Sequence, residues 1–501
     1  MDATAPIIVP RWEWRSFDGR FPVAEPLFDE LERTGVHESE EMYLVSHAGG
    51  ANVKIRDGLM DIKILQEVDA EGLERWTPVM KREFPLSKSD IGKVFDALEI
   101  EMPRLERDSY DFTTFMSELI EPPAVRPVTV HKHRVRYLVN GCTSEVTDVV
   151  VDGRACRTIA VESEDAAAIL EGVRSMGLDG YVNTNYTEGL IAILEEEPAR
   201  YGVIDVGTNS VKFHLAERSS SGGWTTLVDR ADVTRLGEGM DATGAISHEP
   251  LERTATAIAA MAREALSNGA KAVVAVGTAG MRSASNSEQA VQQIRERSGV
   301  TVDVISGTDE SRLAYLAAVA GLGLGNESVV VFDTGGGSSQ FTFGTGPEVD
   351  ERFSVNVGAV RFTEQFGLDC EVTQETLEAT FGAISDDLGE LDGHTSPKSL
   401  VAMGGAITNM TAVKHALATY DPEVVHGTVL DRSEIDRQIQ MYRSMDADHR
   451  RSIVGLQPAR AEVILAGACI VRTVMEKLGM DSATVCDRGL RHGVLSERFG
   501  T

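Results

Sequence analysis

Residues 203–217 read VIDVGTNSVKFHLAE, and residues 329–344 read VVVFDTGGGSSQFTFG. Each stretch runs an apolar strand into an aspartate, turns over a glycine-bearing loop and returns in a second strand. Asp205 and Asp333 lie 128 residues apart, the spacing of one subdomain per copy. A single copy reads equally well as an ordinary hairpin, because Gly, Thr, Asn and Ser are common turn residues. Two copies, each with an aspartate ending an apolar strand, argue against coincidence. Gly207, Gly335, Gly336 and Gly337 let backbone N–H groups approach phosphate oxygens with no Cβ in the way. The hydroxyls of Thr208, Ser210, Ser338 and Ser339 add donors, and the carboxylates of Asp205 and Asp333 suit a Mg²⁺ that bridges to phosphate. Facing each other across a cleft, two such turns would hold a phosphate chain from both sides.

Outward from the hairpins, strands and helices alternate. Strands are expected at Gly202–Asp205, Val211–Glu217, Ala272–Val276, Val302–Ile305, Ser328–Asp333, Gln340–Phe343 and Leu400–Ala402. Helices are expected between them, at Glu249–Ser267, Asp309–Ala318 and Gln374–Leu391. This alternation predicts an α/β fold with a sheet in each half. Two breaks, EPPAVRPV at 121–128 and EEEPARYG at 195–202, punctuate the chain. The expected division is residues 1–198, then lobes at 199–325 and 326–501.

The first unit is strand-rich. Asn52–Ile55 and Leu59–Leu65 flank an Asp57-Gly58 hairpin signal, and His131–Val139, Ser144–Val151 and Thr158–Glu162 continue the pattern. Residues 87–120 are more helical, with Ile91, Val94, Phe95 and Leu98 at helical spacing. Basic residues recur at period two: Lys132, Arg134 and Arg136 share one face, as do Lys54 and Arg56, with Lys63 on the hairpin partner. Glu162 and Glu164 share a face, and Glu13 stands between Arg11 and Arg15. Such stripes are what a tunnel for a metal–triphosphate needs, with Lys and Arg for phosphates and Glu for metal. An antiparallel sheet with one solvated, salt-bridged face has the same periodicity.

A formal net charge of −30 would repel a polyanion at long range, so basic residues must be gathered locally if one is bound. The same acidity argues against nucleic-acid binding. No run of about 18 apolar residues exists, so no membrane span is expected. The N-terminus lacks a basic stretch followed by an apolar core, so no secretory signal is read. The five scattered cysteines, without a CxxC pair, fit reduced thiols in a cytoplasmic protein.

Seven ordered motifs from residue 200 to 500 resemble the exopolyphosphatase / guanosine pentaphosphate phosphohydrolase (Ppx/GppA) family, a branch of the actin-like, ribonuclease H-like (ASKHA) superfamily. IDVGTNSVKF resembles the first phosphate loop, which assigns Gly207, Thr208, Asn209 and Ser210 to phosphate. RLGEG places Arg235, VGTAGMRSASN places Thr278 and Arg282, and FDTGGGSSQ resembles the second phosphate loop. MGGAITN resembles a third glycine loop with Gly404 and Gly405, and CDRGLRHGVL resembles the closing motif. VISGTDESRLAYL resembles the Ser-Gly motif whose second acid activates water, which implies that Glu310 is the base. Read from the residues alone, Asp309-Glu310 is equally an acidic first helical turn. Where the family ends its second loop in Glu, this chain has Gln340, so the implied metal set is Asp205 and Asp333 with an amide at Gln340.

KIRDGLMDIKIL, HKHRVRYLV, SEVTDVVVDG and TIAVESED resemble, in order, the triphosphate-tunnel (CYTH) superfamily. That resemblance implies phosphate binding by Arg15, Lys54, Arg56, Lys63, Lys132, Arg134 and Arg136, and metal binding by Glu13, Glu162 and Glu164. Its opening Glu-x-Glu-x-Lys is only partly kept, because Arg11, Glu13 and Arg15 occupy those places. The expected architecture is a two-lobed α/β actin-like phosphatase preceded by an antiparallel β-barrel. The expected activity is release of terminal phosphate from inorganic polyphosphate with Mg²⁺ or Mn²⁺, by a homodimer. Guanosine pentaphosphate hydrolysis, a weakly catalytic polyphosphate sensor and an ATP-dependent kinase of the same superfamily are the alternatives.

Overall fold

Alternation at period two carries residues 11–163 into a closed barrel of antiparallel strands. They are β1 (Arg11–Asp18), β2 (Gly35–Val45), β3 (Asn52–Arg56), β4 (Leu59–Val68), β5 (Glu74–Glu83), β6 (Arg126–Val139), β7 (Cys142–Val151) and β8 (Arg154–Ser163). The order is β1-β8-β7-β6-β2-β3-β4-β5, and β5 closes back on β1. The structure is a computed structural model that describes residues 10–219 and 223–500. Residues 1–9, part of the stretch read for a leader, lie outside the described residues. Among the described residues no helix is long and apolar enough to cross a membrane.

The barrel interior changes character along its length. Phe17, Tyr43, Val45, Val128, Val130, Val149 and Val151 fill one half, together with Tyr186 and Leu190 of the helix Tyr186–Leu194. The other half is charged. On the outside, Val53, Ile55 and Ile62 pack against Ile91, Val94 and Phe95 of the helix Lys88–Leu98, as the helical spacing of those residues predicts. Three barrel strands escape the sequence reading. β2 opens on the exposed polar run GVHESE, and β5 contains Pro78, which masks a strand pattern; β1 precedes the first clear alternation. The Pro-rich break at 121–128 ends inside β6, where Pro127 lies opposite Leu44.

The remaining chain builds two α/β sheets of one pattern. The first contains β9 (Ala199–Val206), β10 (Ser210–Arg218), β11 (Trp224–Val233), β12 (Ala270–Gly277) and β13 (Val302–Val304), in the order β11-β10-β9-β12-β13. The second contains β14 (Ser328–Thr334), β15 (Ser339–Thr345), β16 (Glu348–Val355), β17 (Ser399–Met403), β18 (Val429–Asp431) and β19 (Ser482–Val485), in the order β16-β15-β14-β17-β19-β18. In each sheet three antiparallel strands are followed by parallel ones, and in the second sheet β18 adds an antiparallel edge against β19. The helices His248–Ser267 and Ser287–Ser298 bury Leu251, Ile258, Met261 and Ile294 on the first sheet. The second sheet packs a large apolar core that includes the helix Ile464–Lys477. The chain divides into two compact units: one holds everything up to Val304 together with Glu497 onward, the other Ile305–Ser496.

Candidate functional site

In the first unit, β9 and β10 form the hairpin expected from VIDVGTNSVKFHLAE. Gly207 donates its N–H to the Ser210 carbonyl (3.1 Å), closing the turn. The loop carbonyls face the protein: Asn209 O accepts from the N–H groups of Thr234 and Arg235 (3.1 and 2.9 Å), and Thr208 O accepts from Gly237 (2.9 Å). A Cβ on Gly237 would stand 2.4 Å from Thr208 Cγ2, and one on Gly280 would stand 2.8 Å from Thr208 Oγ1. The three segments 205–210, 234–237 and 278–282 therefore meet at one turn, with Arg235 and Arg282 exposed beside it. Thr278 differs from expectation: it is buried, and its N–H and hydroxyl both donate to Val206 O (3.2 and 3.4 Å). Its hydroxyl positions the strand end and is not presented as a phosphate donor. Asp205 is buried at the end of β9, with Lys212 Nζ 3.4 Å from its Oδ2. These two residues are register partners.

In the second unit the same construction recurs. Gly335 donates to Ser338 O (2.9 Å), and the register partner of Asp333 is Gln340. Gly335 O and Gly336 O accept from the first N–H groups of the helix Ala359–Phe366, Ala359 (3.0 Å) and Val360 (2.8 Å). Gly335, Gly336 and Gly337 are exposed at the loop tip. Ser339 is the second correction: fully buried, it donates its hydroxyl to Val357 O (2.6 Å) and lies 3.1 Å from Thr334 Oγ1. Ser338 keeps the donor role open, although Gln340 Nε2 donates to its Oγ (2.9 Å). The third glycine loop closes on the same place. Gly404 has φ +94°, and a Cβ there would stand 2.5 Å from Asp333 Oδ1; one on Gly405 would stand 2.7 Å from Arg460 Cζ. Arg460 carries no sequence motif that the reading above used, and only the fold reveals it. The glycine at 404 makes room for the Asp333 carboxylate, whose oxygens are the ligand type that suits a small hard cation.

Glu310 lies half-buried in the first turn of the helix Gly307–Leu322. The two neighbouring acids separate by role. Ser306 caps the helix by accepting from Asp309 N–H (3.1 Å), and its hydroxyl donates to Asp309 Oδ2 (2.6 Å). Asp309 is thus the helix-start acid that the dipole argument anticipates, whereas Glu310 donates its backbone N–H to the Ser306 carbonyl (3.0 Å).

The charged half of the barrel is a chamber of about 190 Å³. All seven basic residues expected there line it: Arg15, Lys54, Arg56, Lys63, Lys132, Arg134 and Arg136, with Glu13 and Glu162. Glu164 does not reach it, being exposed beyond the end of β8. Glu13 on β1 stands between Glu162 of β8 and Glu74 of β5 in the strand register. Burial, then the charge of Glu13, pushes the Glu162 carboxyl up. Like charges opposed across strands are unfavourable unless a cation relieves them, so this end fits a metal ion. Several residues at or behind the chamber wall were not anticipated. Glu145 of β7 holds Arg15 (3.0 Å) and Arg134 (2.9 Å). Tyr186 carries Arg15 and Lys132 against its ring, at 4.5 and 3.7 Å from the centroid, and Asn185 donates to Glu74 (3.2 Å). Glu41 of β2 is fully buried behind Lys54 and Lys132. The exposed start of β2 concealed it.

Two sheets of the order three antiparallel strands plus parallel ones, each with an aspartate at a glycine hairpin, define an actin-like phosphate-handling fold of the ASKHA type, here preceded by a closed antiparallel barrel. The chain belongs to the Ppx/GppA phosphatase family, whose model matches residues 215–500. Members of that family are phosphatases that hydrolyse phosphoanhydride bonds. The crystal structure of the Aquifex aeolicus Ppx/GppA phosphatase, type II variant, is 30% identical, with a TM-score of 0.57 over 60% of this chain and 99% of that one. Exopolyphosphatase 2 of Mycobacterium tuberculosis is 28% identical over 311 residues, 59% of this chain and 97% of its own. The bifunctional 3-dehydroquinate synthase/phosphatase of Fusobacterium nucleatum is 25% identical over 305 residues, and this chain spans only 46% of its length. The family match does not reach the barrel.

Proposed function

We propose that this chain is an exopolyphosphatase that removes orthophosphate from the ends of inorganic polyphosphate, with residues 1–198 holding the polyanion and the lobes at 199–325 and 326–501 carrying the chemistry. The observation that carries the choice of substrate is the barrel chamber, where seven basic side chains converge in a chain of net charge −30. Guanidinium and ammonium groups at close quarters recognise phosphate oxygens, and seven of them in one chamber suit the repeating phosphates of a chain. In the lobes, Gly207–Ser210 and Gly335–Ser338 would present donors to phosphate, Arg235 and Arg282 would balance its charge, and Gly404 and Gly405 would complete the second loop. Glu310 would orient and deprotonate the attacking water. Asp205, Asp333 and Gln340 are the residues that would hold Mg²⁺, or Mn²⁺, and Glu13 and Glu162 would hold one in the barrel. When bound, such a cation polarises phosphoryl oxygens and neutralises charge developing on them. A homodimer is the assembly proposed, to be checked by light scattering.

The test is phosphate release from long-chain polyphosphate, tripolyphosphate and guanosine pentaphosphate with Mg²⁺, for the native chain and Glu310→Gln. Release from polyphosphate that falls by about 10²–10⁴-fold in the variant is expected for a general base. Release that survives the substitution removes Glu310 from the role. Preference for guanosine pentaphosphate would transfer the chain to the other substrate for which the family is named, and binding with no release from any substrate would make it a sensor.

A further inference from the structure

Glu41 is a fully buried carboxylate behind the chamber wall, and four cations converge on it. Lys132 Nζ and Lys54 Nζ share its Oε2 at 2.9 and 3.0 Å, while Arg56 and Arg134 stand 3.7 and 3.9 Å from its Oε1. Tyr43 OH donates to Oε2 (3.1 Å) and accepts from Lys132 (2.7 Å), and the Lys132 ammonium rests 3.7 Å from the Tyr186 ring centroid. The Lys132 side chain is 0% exposed. The neighbouring carboxylates are already engaged, Glu145 by Arg15 and Arg134 and Asp61 by Arg56. Among the described residues Glu41 is thus the carboxylate that both lysines share, while Arg56 and Arg134 lie closer to Asp61 and Glu145. The two guanidinium groups cannot give up a proton, whereas a buried lysine can.

We propose that polyanion binding in the barrel chamber is proton-coupled: the Lys54–Lys132 pair, anchored on the single Glu41 carboxylate, takes up a proton when phosphates enter. This inference rests on the reading that the chamber binds phosphate chains. The empty site is short of negative charge, so one ammonium is disfavoured; phosphate oxygens supply that charge and restore it. Burial first, then the charge of Lys54, holds the Lys132 ammonium well below the usual lysine range, and burial lowers Lys54 as well. Burial alone would raise the Glu41 carboxyl, but Lys54 and Lys132 hold it below the usual carboxylate range, so the carboxylate stays ionised while the lysine yields its proton. The sign follows. The loaded chamber binds more protons than the empty one, so affinity falls as pH rises from the depressed lysine range towards the ordinary one, by up to about tenfold per pH unit for each proton taken up. A chain that also reaches Lys63 and Arg136, which make no ion pair among the described residues, gains several contacts at once.

The experiment is calorimetric titration of the full chain with tripolyphosphate in EDTA, at pH 7 and 8, in buffers of different ionisation enthalpy. The native chain is expected to take up a proton on binding. Lys132→Arg, which stays charged, is expected to bind with that uptake lost; Glu41→Gln, which removes the counter-ion, is expected to bind with a larger uptake. No uptake by the native chain, or the same uptake in Lys132→Arg, overturns the proposal. Lys63→Ala with Arg136→Ala separates the two levels. Binding weakened by this pair but without proton uptake defeats the coupling alone, whereas binding untouched by the pair shows that the chamber is not the binding site and defeats the reading beneath it as well.

Discussion

Gly404→Ala tests whether the third glycine loop exists to let Asp333 in. The residue sits at φ +94°, ψ 171°, a region essentially closed to side chains, where a non-glycine residue costs about 1–3 kcal/mol. The new Cβ would also stand 2.5 Å from Asp333 Oδ1 and 2.8 Å from the Thr334 carbonyl oxygen. The Thr334 oxygen is strand backbone, so the carboxylate must give way, by about 1 Å to regain van der Waals distance. A displacement of about 1 Å at a reacting centre costs about 10²-fold in rate. Stability and activity should therefore part company: the strain corresponds to a fall of a few degrees in unfolding temperature, at about 2–4 °C per kcal/mol. Phosphate release from polyphosphate should drop about a hundredfold in protein that is still folded at the assay temperature. Gly382→Ala is the control, because a Cβ at that position in the helix Gln374–Asp387 meets nothing within 4 Å. It should stabilise by about 0.5–1 kcal/mol and leave turnover unchanged. The assays are a phosphate-release time course and a thermal melt on the same samples. Native turnover in Gly404→Ala, or a loss fully explained by the unfolded fraction, would refute the reasoning.

Two further substitutions probe features that the hairpins and the barrel share with no simple motif. Gln340, the register partner of Asp333, donates to Ser338 and Ser354 (2.9 and 3.5 Å); Gln340→Glu should lower the Mg²⁺ concentration for half-maximal phosphate release several-fold, since a carboxylate is the harder ligand, and an unchanged Mg²⁺ curve would remove residue 340 from the metal set. Asp18, with its carboxylate fully buried, pairs with Arg218 and accepts from Tyr201 OH (2.7 Å). Asp18→Ala should cost about 3–5 kcal/mol by denaturant unfolding because it leaves the buried guanidinium uncompensated. Asp18→Leu combined with Arg218→Met should recover much of that loss, and additive losses in the double variant would show that the pair is not coupled.

The hairpins were legible because their signal is local. An apolar strand, an aspartate and a glycine turn are neighbours in sequence, and a hairpin joins strands that its own turn connects. The barrel's basic lining was legible for a related reason: side chains at Lys132, Arg134 and Arg136 share a face by period two, whatever they face. What stayed hidden depends on contacts distant along the chain. Thr278 and Ser339 look like phosphate donors until Val206 O and Val357 O are found to accept from them. Asp309 and Glu310 look interchangeable until the Ser306 hydroxyl is found to bond to the Asp309 carboxylate.

By itself the sequence determined the two glycine hairpins, the alternation that makes the sheets, and the sign of charge on one face of the barrel strands, because each is set by residues within a few positions of one another. Only the tertiary structure decided that Gly404 makes room for Asp333, that Glu164 falls outside the chamber, and that Glu41 lies at the convergence of four cations. Closure of the barrel brings β2, β3 and β6 side by side from three distant stretches of sequence, and burial there turns an unremarkable glutamate into the counter-ion on which the lysines' charge depends.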